Sequence, residues 1–183
     1  MRQPGPRRSV AVLVILGAAA ATPGAESTQA SSTGEARASA AVVHVRFRSP
    51  ARAEVARQAV AGAVRRLASD ECRAVLTDFR DASGVRLAAR LAAAGTSMEE
   101  WVRGVYFYDG NGRGSCHKRG VMAVTSAGSR VVFLCPAFTF EQRRDPGLAE
   151  ALVIHELLHT LGLAENPPTS LEINRRVFER CGR

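Results

Sequence analysis

The chain is poor in lysine, in long apolar runs and in paired cysteines, and each shortage excludes a class of protein. Lys118 is the only lysine, so the formal charge of +8 is carried by arginines spread along the 183 residues. No basic run is interleaved with aromatics, and this argues against a nucleic-acid binder. No segment beyond the N-terminal region is apolar for long enough to span a bilayer, so no stable membrane insertion is expected after leader removal. No C-x-x-C pair is present, which disfavours a cysteine zinc site. No internal repeat is visible.

The N-terminal residues have the layout of a secretory signal. Arg2, Arg7 and Arg8 precede an apolar run from Val10 to Ala21, and small residues follow to Ala25. Residues 1–25 are therefore read as a signal peptide, and the protein is expected to be secreted or periplasmic. Without those three arginines the 25 basic residues become 22 against 17 acidic, a modest excess. Residues 26–40 are Ser, Thr, Ala, Gly and charge without periodicity and are read as a flexible linker. Residues 41–183, within a chain that is 46% apolar, suffice for one core and one domain, expected as a monomer.

Four cysteines lie in that domain, an even number suited to two disulfides in an oxidising compartment. Three connectivities are possible. The expected one joins Cys116 to Cys135, closing a hairpin, and Cys72 to Cys181, tying the last helix to the body.

Val43, Val45 and Phe47 alternate with polar residues in a first strand, with His44 on the polar side. Ser49-Pro50 opens a helix to Ala68, with apolar residues at helical spacing from Val55 to Leu67. Further helices are expected over Asp70–Phe79 and from Val85 to Ala94, the latter stopping at Gly95. From Trp101 onward β-branched and aromatic residues alternate with Gly-rich turns. Val102, Val105–Tyr108, Val121–Thr125 and Val131–Leu134 are read as strands. Asp109-Gly110-Asn111-Gly112 has half of a calcium loop's acids and is read as a turn. A second turn, Ser126 to Ser129, joins the last two strands.

Asp145-Pro146 marks another helix start, and Gly162 its end. Between them lies His155-Glu156-Leu157-Leu158-His159. A spacing of four stacks both imidazoles on one face, where their nitrogens can converge on one cation, and Glu156 beside the first can reach a water on that cation. Leu148, Leu152, Ile154, Leu157, Leu158 and Leu161 make this helix apolar on nearly every side. It should be buried, and its polar trio then needs partners that a metal supplies. Glu165 leads as third ligand, with Glu179 and Glu172 as alternatives. Glu172 has a structural explanation too, as part of a Thr169-Ser-Leu-Glu172 capping box that starts a last helix.

His155-Glu156-Leu-Leu-His159-Thr-Leu-Gly162-Leu-Ala-Glu165 resembles the zincin metallopeptidases, and among them the metzincin pattern H-E-x-x-H-x-x-G-x-x-H. The resemblance covers residues 145–166. It implies an α+β fold in which helices and a small twisted, mostly antiparallel sheet pack on the active-site helix. It also implies Zn2+ held by His155, His159 and Glu165, with Glu156 as general base for hydrolysis of a peptide or protein substrate. Two features depart from the family: Glu replaces the usual His or Asp as third ligand, and no Met follows Met122 to form a methionine turn. The twenty-residue spacing from His159 to Glu179 resembles the gluzincin branch instead. Tyr106, Tyr108 and His117 could serve as oxyanion donors but read better as packing or surface residues, the Val121–Thr125 and Val131–Leu134 hairpin can offer a strand edge, and Phe138 and Phe140 should pack under the active-site helix. Two rival readings are a disulfide-stapled binding or inhibitory module without turnover, and a metal hydrolase acting on cell-wall peptides.

Overall fold

The computed structural model describes residues 43–182. The expected signal (1–25) and linker (26–40) lie outside the described residues. The fold is α+β. A short strand, β1 (His44–Arg46), leads into α1 (Pro50–Leu67), whose start is fixed by Pro50 in the first turn and by Ser49, whose hydroxyl accepts from the Arg52 N–H. α1 buries Ala56, Ala59, Val60, Ala63 and Leu67.

The next stretch is helical in two pieces, α2 (Asp70–Arg73) and α3 (Val75–Asp78), where a single helix was expected. The break follows from Thr77, whose N–H and hydroxyl both donate to the Ala74 carbonyl and tighten the turn there. α4 (Leu87–Ala93) starts two residues later than expected, because Val85 is engaged in a loop with Asp81 through both its N–H and its carbonyl.

Trp101 and Val102 are not in a strand. They lie in α5 (Met98–Arg103), started by a capping box in which the Ser97 hydroxyl accepts from the Glu100 N–H and the Glu100 carboxylate accepts from the Ser97 N–H. The two reciprocal bonds of Ser97 and Glu100 at the helix start outweigh the β-preference of the two residues that follow.

The sheet contains β2 (Tyr106–Asp109), β3 (Ala123–Thr125) and β4 (Val131–Leu134) in the order β1-β2-β4-β3. It was expected to be mostly antiparallel. Two of its three pairings are instead parallel, β1 with β2 and β2 with β4, and only the β3–β4 pairing is antiparallel. The connections explain this: the helices α1 to α5 carry the chain back between β1 and β2, and a crossover of that length permits parallel pairing. The tight Ser126–Ser129 turn, closed by the Ser129 N–H on the Ser126 carbonyl, leaves β3 outermost. Asp109–Gly112 is a turn, with the Asp109 carboxylate accepting from the Asn111 N–H.

α6 (Pro136–Arg144), α7 (Pro146–Thr160) and α8 (Ser170–Cys181) complete the fold. α7 lies at the centre, with Val153, Ile154, Leu157 and Leu158 fully buried. Phe138 is buried beneath it as expected, but Phe140 is 67% exposed. Residues two apart on a helix project to opposite sides, so α6 can bury only one of the two rings. Gly62 lets α1 approach α7 closely, since a Cβ there would collide with the Glu150 side chain. Arg66 pairs with Glu150 at 2.6 Å and donates to the Cys181 carbonyl at 2.8 Å, joining α1, α7 and the end of α8. Cys72–Cys181 and Cys116–Cys135 both form, matching the expected pairing.

The two disulfides span 109 and 19 residues. Loop-closure entropy grows with the logarithm of that span, so C72S/C181S should destabilise more than C116S/C135S, by about 1.5 kcal/mol. Denaturant unfolding of both double variants measures the difference, and the reverse order would refute an entropic origin.

Candidate metal centre

α7 is fixed at its start by Asp145, whose carboxylate accepts from the Leu148 N–H at 3.0 Å, and by Pro146 in its first turn. Its apolar sides sink it into the core and take His155, Glu156 and His159 with them, at 4, 7 and 5% exposure. After Leu161 the chain turns sharply at Gly162, whose φ of 106° is strained for any side chain. A Cβ there would also press on that of Asp81 at 3.2 Å. The turn brings two groups back over the end of α7. The first is the Leu163 carbonyl, 2.7 Å from His159 Nδ1, and the second is the Glu165 carboxylate.

The hydrogen bonds of the two imidazoles determine their tautomers. A carbonyl oxygen only accepts, so His159 Nδ1 must donate to Leu163. His155 Nδ1 donates to Asn174 Oδ1 of α8 at 2.7 Å. In neutral rings both Nε2 atoms then carry lone pairs, and these face each other at 2.9 Å. Two lone pairs at that distance repel unless a proton or a cation lies between them. Glu165 Oε1 completes a triangle, 3.5 Å from His155 Nε2 and 3.7 Å from His159 Nε2.

That triangle has the size of a metal site. Ligands about 2.0–2.1 Å from a tetrahedral ion lie about 3.3 Å from one another, and the three observed separations fall on either side of that value. The donor set, two imidazoles and one carboxylate, suits zinc. Among the described residues this is the one group of three His, Cys, Asp or Glu side chains placed to hold an ion.

Burial and close neighbours shift the titration of the groups at this site. Burial pushes the Glu156 carboxyl above the usual carboxylate range, against the opposing pull of His155. Its Oε2 is buried with no hydrogen-bond partner. Burial would lower His155, but Glu165, Glu156 and Asn174 overcome it, and the imidazole is raised above its ordinary value. In its protonated form His155 donates from Nε2 to Glu165 and holds that carboxyl down at about 2, helped by the Ser170 hydroxyl.

A cleft of about 490 Å3 opens over His155, Glu156 and Glu165. Val121 to Thr125, including the outermost strand β3, form one wall, and Ser170 and Asn174 of α8 lie on the other side. Gly128, in the turn after β3, donates its N–H to the His159 carbonyl at 2.8 Å and ties this wall to the end of α7. Larger hollows exist, one of about 760 Å3 over α8, but they gather no such ligand set.

Of the three acids considered as third ligand, only Glu165 stands with the imidazoles. Glu179 pairs with Arg176 at 3.0 Å, and Glu172 closes the capping box with Thr169. Tyr106, Tyr108 and His117 do not line the cleft. Tyr106 stacks on His44 instead, with ring centroids 4.5 Å apart, and Tyr108 packs beside Phe133. Asn174 and Ser170 were not anticipated, because nothing local in the sequence directs a residue of α8 towards His155 or Glu165. No family model, no curated protein and no solved structure matches the chain.

These shifts predict an unusual pH profile for the metal-free protein. His155 and Glu156, both raised, contribute stability that is lost as pH rises above their unfolded values of 6.5 and 4.5. Glu165, depressed, contributes stability that is lost as pH falls from 4.5 towards about 2. The metal-free protein, kept so with a chelator, should therefore be more stable near pH 5.5 than at pH 8, by thermal unfolding, and His155→Gln should flatten the upper limb. A stability that rises steadily to pH 8 would contradict this reading.

Proposed function

We propose that this protein is a zinc-dependent peptidase with a zincin-like active site, in which His155, His159 and Glu165 hold the ion and Glu156 is the general base. The observation that carries the reading is the triangle of two imidazole lone pairs and one carboxylate oxygen, with sides of 2.9, 3.5 and 3.7 Å. A zinc ion there supplies Lewis acidity, making water a nucleophile near neutral pH and polarising the carbonyl to be attacked.

The remaining work falls to the chain. Glu156 Oε2, buried and unpartnered at the cleft, is free to take a proton from the attacking water and pass it to the departing amine. Its raised carboxyl makes it a better proton acceptor than an ordinary glutamate, and burial keeps competing water away. Asn174 and the Leu163 carbonyl hold the two rings in the tautomer that presents Nε2 to the cleft. β3, at the end of the sheet, offers unpaired backbone groups to which an extended peptide can add as a further strand.

Two disulfides suit an oxidising compartment, and among the described residues no helix is long and apolar enough to cross a membrane. Both fit a protein that acts after export, as the Arg-rich and apolar N-terminal sequence implies.

Elemental analysis of the purified protein should find one zinc per chain, lost in His159→Ala. Glu156→Gln should retain the zinc and cleave a mixed peptide library about 10²–10⁴-fold more slowly. A chain without zinc, or a Glu156→Gln variant with full activity, would overturn the proposal. Asn174→Ala should weaken zinc binding by about 10–100-fold in a chelator competition, because His155 loses the partner that orients it. An unchanged affinity would remove Asn174 from the site.

A further inference from the structure

The cleft has a cationic end that the proposed chemistry does not use. Lys118 and Arg119 line the same hollow as His155, Glu156 and Glu165. Both are exposed, and neither side chain makes an ion pair or hydrogen bond among the described residues. The other charged groups on the lining are Glu156 and Glu165, whose charge a bound dication offsets, so the surplus left in the cleft is positive.

The backbone that carries this pair is tied down. Residues 114–117 form a single 3₁₀ turn containing Cys116, whose disulfide to the buried Cys135 ties the segment to the start of α6. Gly110 allows that approach, since a Cβ there would collide with Cys116 Sγ and the Leu134 carbonyl. The Val121 N–H closes a turn on the Lys118 carbonyl, and Gly120, at a φ of 81°, leads the chain into β3. Lys118 and Arg119 thus stand just ahead of the free edge strand. A peptide paired along β3 advances about 3.3 Å per residue and would carry its side chains past them.

We infer that the cleft selects peptides bearing acidic side chains a few residues from the bond to be cut, with Lys118 and Arg119 as the recognising pair. This rests on the peptidase reading above for its substrate class. The charges are exposed, so each contact is weak and screened by salt, and two of them together are worth about three- to tenfold in affinity.

Binding tests the inference separately from turnover. Zinc-loaded Glu156→Gln protein is titrated, by fluorescence anisotropy, into three labelled alanine-rich octapeptides carrying paired Asp, paired Ser or paired Lys on both flanks. The Asp peptide should bind about three- to tenfold more tightly than the Ser peptide, with the difference shrinking at about 0.5 M salt. K118Q/R119Q should abolish the preference and K118E/R119E should transfer it to the Lys peptide, zinc content verifying that both variants are folded. Equal affinities for all three peptides, or an Asp preference that survives in either variant, would overturn the inference. If the order of binding holds while the native protein cleaves nothing, the peptidase reading fails and the charge selection stands.

Discussion

Everything else in this protein is arranged around two imidazole lone pairs aimed at one point inside an apolar core. A histidine has two nitrogens, and which one faces the cleft is decided by what the other one bonds. Here the decision is made by a carbonyl oxygen, Leu163, that cannot donate, and by the Asn174 side chain. Both rings are thereby committed in the neutral state to present acceptors 2.9 Å apart. Such an arrangement is costly when nothing lies between the rings. His155 is raised because Glu165, Glu156 and Asn174 outweigh its burial, and this creates a demand for a proton between the facing nitrogens. A divalent cation meets the same demand with greater charge.

The scaffold can be understood as the means of holding that arrangement. α7 has little amphipathic character, with leucine, isoleucine and valine on nearly every side, so it is packed by α1, α6, α8 and β3 and cannot rotate to expose its polar trio. α8, which carries Asn174 and Ser170, gains less from burial, with Ile173 and Val177 as its fully buried residues. It is held by other means. Arg180 makes a two-pronged pair with Asp78 at 2.8 and 3.0 Å, Arg66 reaches the Cys181 carbonyl, and Cys181 is bonded to Cys72. A weakly buried helix that must keep one amide within hydrogen-bond distance of a histidine benefits from this kind of peripheral fastening.

What could be read from the sequence was local in character. The four-residue spacing of His155 and His159, the Asp145 cap, the Gly162 turn that carries Glu165 and the Thr169–Glu172 capping box all act within one or two helical turns, so the pattern of residues contains the interaction. The α+β character and both disulfides were legible too, the latter because few cysteines left few choices. Sheet pairing was not legible, since it depends on where the long helical segment returns the chain. Trp101 and Val102 were misread on their β-preference, which the Ser97–Glu100 capping box overrides. Phe140 was placed inside on chemistry alone, although its spacing from Phe138 excluded it. Asn174 and Ser170 could not be found at all: their partners are in another helix or across a loop, and no periodicity records a contact between separate elements.

The two disulfides divide the support of the cleft between them. Cys72–Cys181 fastens the helix on one side, whose Asn174 and Ser170 orient a histidine and the Glu165 carboxylate. Cys116–Cys135 fastens the loop on the other side, which leads through Lys118 and Arg119 into the edge strand β3. The central helix has neither bridge and is held by close packing, which resists displacement in every direction at once. The walls are only partly buried, and there a covalent tie adds to what burial supplies. Rigidity is therefore obtained by packing where the three candidate ligands and base converge, and by crosslinks where a bound chain would have to be gripped.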